Sequence, residues 1–154
     1  MARRHLLVPY NFSNEDEKSL KFVIRRYSQT ADVEVTLIHL YTSVPEVDVR
    51  NNPIMEKMSA NLAYLKQQQN ENEEALEAAR KRLVENGFKD DQVHTVFRPI
   101  RRDVANDLID YAEKERVSLV VLNRNPERIT RFFVRSVSDK VISRLKDIEV
   151  VVVT

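Results

Sequence analysis

The sequence contains no cysteine and a single glycine, Gly87. The first absence removes disulfides, thiolate metal sites, cysteine nucleophiles and thiol redox chemistry, and the composition fits a reducing compartment. The second removes the glycine-built signatures. Neither a P-loop, nor a Gly-x-Ser-x-Gly elbow, nor a dinucleotide fingerprint can be assembled from one glycine. Long apolar runs are missing as well. Only a few apolar residues stand between Arg4 and Pro9, far short of a signal-peptide core, and no later run reaches membrane-spanning length, so a cytoplasmic protein with no membrane partner is expected. Charge of one sign is not in excess: 25 Lys and Arg against 24 Asp and Glu leave no global pull toward nucleic acid or anionic lipid. His5, His39 and His94 fall on different predicted strands, with no paired carboxylate or second ligand at metal spacing, and read as ordinary strand residues. No catalytic residue, no metal site and no enzyme are expected.

What is present is an alternation of strands and helices. With 154 residues, 42% of them hydrophobic, the chain is long enough for one sizeable core and is read as a single domain over 1–154. Leu6-Leu7-Val8 before Pro9 suits a buried strand. Ser13 or Asn14 caps the following helix, Asn14 and Glu17 having the spacing of a capping box, and Leu20, Val23, Ile24 and Tyr27 share its inner face. Val33 to Leu40 forms a second strand covered on both faces. From Pro53 to Asn86 the pattern is helical, with Met55, Met58, Leu62 and Leu65 in one rhythm and Leu76, Ala79 and Leu83 resuming it. The polar run Gln67 to Asn72 between them means either one long helix projecting past the sheet or two helices meeting at a break; a solvated surface helix is favoured over a coiled coil. Gly87 stands where a left-handed residue caps a helix C-terminus.

Val93, Thr95 and Phe97 mark a third strand ending at Arg98-Pro99, and Asp103 caps a helix carrying Val104, Leu108, Ile109 and Ala112. Val117 to Leu122 is the fourth strand. Ser136 or Ser138 opens a last helix with Val141, Ile142 and Leu145 inward, and Ile148 to Val153 closes the chain. Strands and helices in this order imply right-handed βαβ units, hence an α/β fold with an open parallel sheet between helical layers.

Leu7-Val8-Pro9-Tyr10-Asn11-Phe12-Ser13, Leu37-Ile38-His39-Leu40-Tyr41, Ala105 to Glu115, Leu119-Val120-Val121-Leu122, and Ser136 to Val141 before Val150-Val151-Val152-Val153 together resemble the universal stress protein family. The resemblance follows the whole chain in order and is weakest over residues 44–92. It implies a five-stranded, Rossmann-like sheet ordered 3-2-1-4-5 and a homodimer formed through the last strand, Val150, Val151, Val152 and Val153. An edge strand of valines otherwise exposes unpaired backbone and apolar side chains.

The resemblance also places a nucleotide pocket between the first and fourth strands, built in this sequence from Pro9, Asn11, Ser13, Asn123, Arg124, Arg128, Arg135 and Ser136. Its pattern is degenerate. Asn11 stands where the family has an aspartate that holds the nucleoside. Asn123, Pro126 and Arg135 take the places of the three glycines of the phosphate loop, which is one residue shorter here. Pro126 has no N–H to give a phosphate, and Arg135 crowds a helix entrance where glycine lets backbone approach. No ATP cofactor bound in the family manner is therefore expected. The arginines, with Arg98, Arg101 and Arg102 near the same sheet edge, either bind an anionic small molecule such as a nucleotide or other phosphorylated metabolite, or pair with Asp103, Asp107, Glu127 and Asp139. Phe132-Phe133 among them raises base stacking, but packing on the core or a partner is the preferred reading, and nucleic acid is not expected. The expected function is a non-catalytic regulatory or stress-response module, with a small-ligand sensor as the alternative.

Overall fold

The computed structural model describes residues 3–44, 53–123 and 137–154. Leu6, Leu7 and Val8 form the buried centre of strand β1 (Arg4–Pro9). Strand β2 (Val33–Tyr41) lies beside it with β3 (Val93–Pro99) beyond; β4 (Leu119–Asn123) and β5 (Glu149–Val153) follow on the other side. The order is β3-β2-β1-β4-β5, with every pair parallel. This is the α/β sheet that the alternation of elements and the family resemblance imply.

Successive side chains of a strand point to opposite faces, so the sheet feeds two cores. Leu6, Val8, Val35, Leu37 and Val121 meet Leu20 and Val23 of α1 (Asn14–Tyr27) and Leu76, Ala79 and Leu83 of α2 (Pro53–Glu85). Leu7, Ile38, Val120 and Leu122 meet Leu108, Ile109 and Ala112 of α3 (Val104–Lys114), Val141 of α4 (Val137–Arg144) and Leu145 just beyond it. Each fully buried leucine or valine contributes about 1.5–3 kcal/mol relative to exposure.

Local expectations hold unevenly. Asp103 caps α3, accepting the Asn106 N–H at 2.8 Å. The cap of α1 is Ser13, and the side chain that reaches back is Asp16, not Glu17: Asp16 Oδ2 accepts the Ser13 N–H at 2.9 Å. Glu17 lies one position further round the helix and instead takes a fork from Arg82 of α2, at 2.5 and 2.6 Å. Ser138 falls inside α4 rather than at its start, and Ser136 lies outside the described residues. Ile142 is exposed, contrary to expectation, because Val141 and Leu145 already share the inward face and Ile142 is turned away from it by one residue step. Val117 is buried but precedes β4.

Of the two readings of the long helix, one continuous helix is correct: α2 runs unbroken for 33 residues, about 50 Å at 1.5 Å per residue. Among the described residues, the core side chains of α2 lie in its second half. Ile54, Met58, Tyr64 and Leu65 stay exposed, while Leu76 and Leu83 are buried. Gly87 ends the run at φ 119°, with the Phe88 N–H returning to Leu83 O at 3.2 Å.

Candidate functional site

The sheet changes direction between β1 and β4, where open α/β sheets form a crevice at the carboxyl ends of their strands. Pro9 sets where that crevice begins. Arg4 N and Tyr10 N both donate toward β2, to Asp32 O and Ile38 O at 2.8 Å, whereas His5 O accepts from Ser118 N on the β4 side. Even-numbered residues of β1 therefore face β2 and odd-numbered ones face β4. Pro9 is odd and has no N–H. The β1–β2 register runs through Pro9↔Ile38, but the β1–β4 register stops at Leu7↔Val120.

The gap is bridged by side chains. Asp16 has no exposed surface, and both its oxygens are taken: Oδ2 accepts the backbone N–H groups of Asn11 at 2.8 Å and Ser13 at 2.9 Å, and Oδ1 accepts Nδ2 of Asn123 at 2.8 Å. The same Asn123 amide reaches Ser19 Oγ at 3.1 Å. Alternation along β4 explains the reach: Leu119 and Val121 point into the α1 side, and so does Asn123. Of the residues expected here, Pro9, Asn11, Ser13 and Asn123 converge, with the Asn11 side chain exposed. Arg124, Arg128, Arg135 and Ser136 lie outside the described residues, as do Pro126, Phe132 and Phe133. Asp16 and Ser19 were not expected; the Ser-x-x-Asp spacing from Ser13 is the signal that finds the first of them.

An aromatic row flanks the crevice. Tyr10, Phe12, His39, Phe97 and Tyr41 follow one another with ring centroids 5.2, 4.7, 5.4 and 4.7 Å apart. Phe12 is held at φ 62°, a left-handed backbone that costs a non-glycine residue about 1–2 kcal/mol. His39 Nδ1 lies 2.8 Å from Tyr10 O; a carbonyl only accepts, so Nδ1 carries the proton. Burial pushes the His39 pKa below its ordinary value, against the opposing pull of the Tyr10 carbonyl and Asp16. Beside this row, Gln68, Gln69 and Asn72 of the polar stretch of α2 line a cavity of about 580 Å³ against the end of β2.

One further expectation is corrected. His5 and His94 do have a paired carboxylate: Glu34, between them on β2, lies 3.7 Å from His5 Nδ1 and 3.5 Å from His94 Nε2. Strand register creates this pairing, and residue spacing in the sequence does not reveal it. Among the described residues no three such groups are placed to hold a metal ion. The contacts of the arginines after β3 are with residues of α3. Asp107 accepts the backbone N–H groups of Arg101 and Arg102, Arg102 bonds Asp110 at 2.6 Å, and the Arg98 guanidinium lies over Tyr111.

The family model of the universal stress proteins matches residues 2–154. The chain belongs to the universal stress protein family. Solved structures share the fold. The hypothetical protein MJ0577 superposes with a TM-score of 0.69 at 22% identity, covering 99% of this chain and 96% of its own. UspA from Lactobacillus plantarum gives 0.66 at 14%, covering 100% and 99%. The universal stress protein from Archaeoglobus fulgidus in complex with dAMP gives 0.62 at 16%, covering 100% of both chains. No curated protein sequence matches the chain. Within this universal stress protein domain, the residue that ends β4, Asn123, is thus an amide tied to a buried carboxylate. No helix among the described residues is long and apolar enough to cross a membrane.

Proposed function

We propose that this universal stress protein domain is a non-catalytic regulatory module that does not bind ATP in the family manner. The observation that carries the reading is the Asn123 amide, which spans the crevice to Asp16 and Ser19. A nucleoside held there has to displace that amide and leave Asp16 Oδ1, in a fully buried carboxylate, without its donor. Asn11 offers the nucleoside an amide in place of a carboxylate, and Pro126 removes an N–H from the phosphate loop. Titration with Mg-ATP by calorimetry is expected to give no saturable heat up to millimolar nucleotide. Saturable binding, with the nucleotide located between β1 and β4, overturns the reading.

A second reading is supported by the dAMP complex of the Archaeoglobus relative. In it the domain senses a nucleotide or other phosphorylated metabolite through Asn11, Asn123, Arg124, Arg128, Arg135 and Ser136. Native mass spectrometry of freshly purified protein separates the two: a retained anionic ligand favours the sensor, and an unliganded mass followed by silence across a phosphate-ligand panel counts against it.

The same proposal includes a homodimer through β5. That strand ends the sheet, and Val150 to Val153 are only half-buried within one chain. A second β5 related by a two-fold axis satisfies the outer backbone groups and covers the valines.

A further inference from the structure

The opposite edge of the sheet, β3, has a cavity on each of its faces. Ile100 donates its N–H to Tyr41 O at 2.8 Å, so even-numbered residues of this segment face β2 and Thr95, Phe97 and Pro99 turn their backbone groups outward. Pro99 sits at an outward position, where its missing N–H breaks no ladder bond. Among the described residues no strand lies against that side.

On the α2 face, Leu76, Thr95 and Phe97 floor a cavity of about 440 Å³ rimmed by Glu73, Glu74 and Glu77. Arg80 engages Glu77 at 2.9 Å; no cation pairs with Glu73 or Glu74 among the described residues. On the α3 face, Ile38, Leu40 and Pro99 floor a cavity of about 610 Å³, bordered by Tyr111 with the Arg98 guanidinium 5.3 Å from its ring centre and rimmed by the charged side chains of Arg101, Asp107, Asp110, Glu113, Lys114 and Glu115. Free main-chain groups along an edge, with a pocket on each face for alternate side chains, are what strand addition uses: the backbone supplies affinity and the pockets supply specificity.

We propose that β3 is a docking edge for an extended segment of a partner protein in which basic residues alternate with aliphatic ones. The basic side chains meet Glu73 and Glu74 on the α2 face, and the aliphatic ones enter the groove over Ile38 and Leu40. A second copy of this chain is the poorer occupant. An antiparallel β3 continues the same sheet face and brings Glu73 and Glu74 against their own counterparts, with Thr95 and Phe97 instead of a cation beside them.

The test is a titration of the full-length, nitrogen-15-labelled protein with an acetylated and amidated heptapeptide of alternating lysine and valine. Amide shifts centred on Thr95 and Phe97 are expected, with hydrogen exchange at those two amides slowed at least about tenfold at saturation. Two further peptides carry N-methyl groups, one on its lysines and one on its valines. Only the version that methylates the groups facing β3 is expected to lose binding. The E73K/E74K variant alters two exposed side chains, so its circular dichroism is expected to be unchanged. Its affinity for the lysine peptide is expected to fall at least about tenfold, and it is expected to take up a glutamate–valine peptide instead. Equal binding of all three lysine peptides overturns the proposal. So does a response centred on β5 or on the crevice, the absence of binding at millimolar peptide, or exchange protection at Thr95 through self-association alone.

Discussion

A carboxylate with no exposed surface has to be met by donors. Asp16 is met by two backbone N–H groups of the β1–α1 turn and by the Asn123 amide, and it serves as helix cap and crevice bridge together. Replacing it with alanine is expected to cost about 2–3 kcal/mol, combining a lost cap with donors left unmet, read as a lower urea midpoint at unchanged m-value. His39 gives a second prediction at this scale. Its pKa is lower in the folded chain than its ordinary 6.5, so unfolding takes up a proton. The stability it contributes is complete above about pH 6.5 and is lost as the pH falls toward the folded-state pKa. Thermal midpoints measured from pH 7.5 downward are expected to decline through that window, and less steeply for His39→Gln. The residue scale is also where sequence reading was weakest. Ser13-x-x-Asp16 was legible as a local spacing, whereas the Asp16–Asn123 bond joins residues 107 apart. The two carboxylate contacts of Glu34 depend on the register His5↔Glu34 and on Thr36↔His94.

Elements were more legible because their signals are local. The apolar rhythm of Leu76, Ala79 and Leu83 fell on buried positions of α2, whereas the same rhythm at Met58 and Leu65 fell on exposed ones, and Asp103 marked the start of α3. Whether the polar stretch Gln67 to Asn72 broke α2 was not decidable from pattern alone. Glutamines and glutamates are good helix formers, so a solvated segment continues a helix as readily as it ends one. Gly87 is the clearest element boundary. At φ 119° a side chain is strained, and an added Cβ also lies 3.2 Å from Ser28 Cβ and 3.3 Å from Ser28 O. Gly87→Ala is expected to destabilise by about 1–2 kcal/mol in chemical denaturation. The Arg82–Glu17 fork that ties α2 to α1 is more than a third exposed on both sides, so packing of Leu76 and Leu83 contributes more to holding α2 than that ion pair does.

For the whole molecule, the two sheet edges set how it meets other chains. At β5, Val152→Lys places a charge in the proposed two-fold contact and is expected to convert a dimer into a monomer by light scattering, with the far-ultraviolet circular dichroism retained. A wild-type monomer at micromolar concentration contradicts the β5 interface. The sequence by itself determined the parallel α/β sheet and the family, because periodicity, turn residues and motif order are properties of neighbouring positions. Only the tertiary structure decided that Asn123 locks onto Asp16, that Pro9 ends one ladder and spares the other, and that β3 ends the sheet between two cavities. Those facts rest on register and on the approach of distant segments, and the order of residues along the chain does not encode them until strands pair and helices pack.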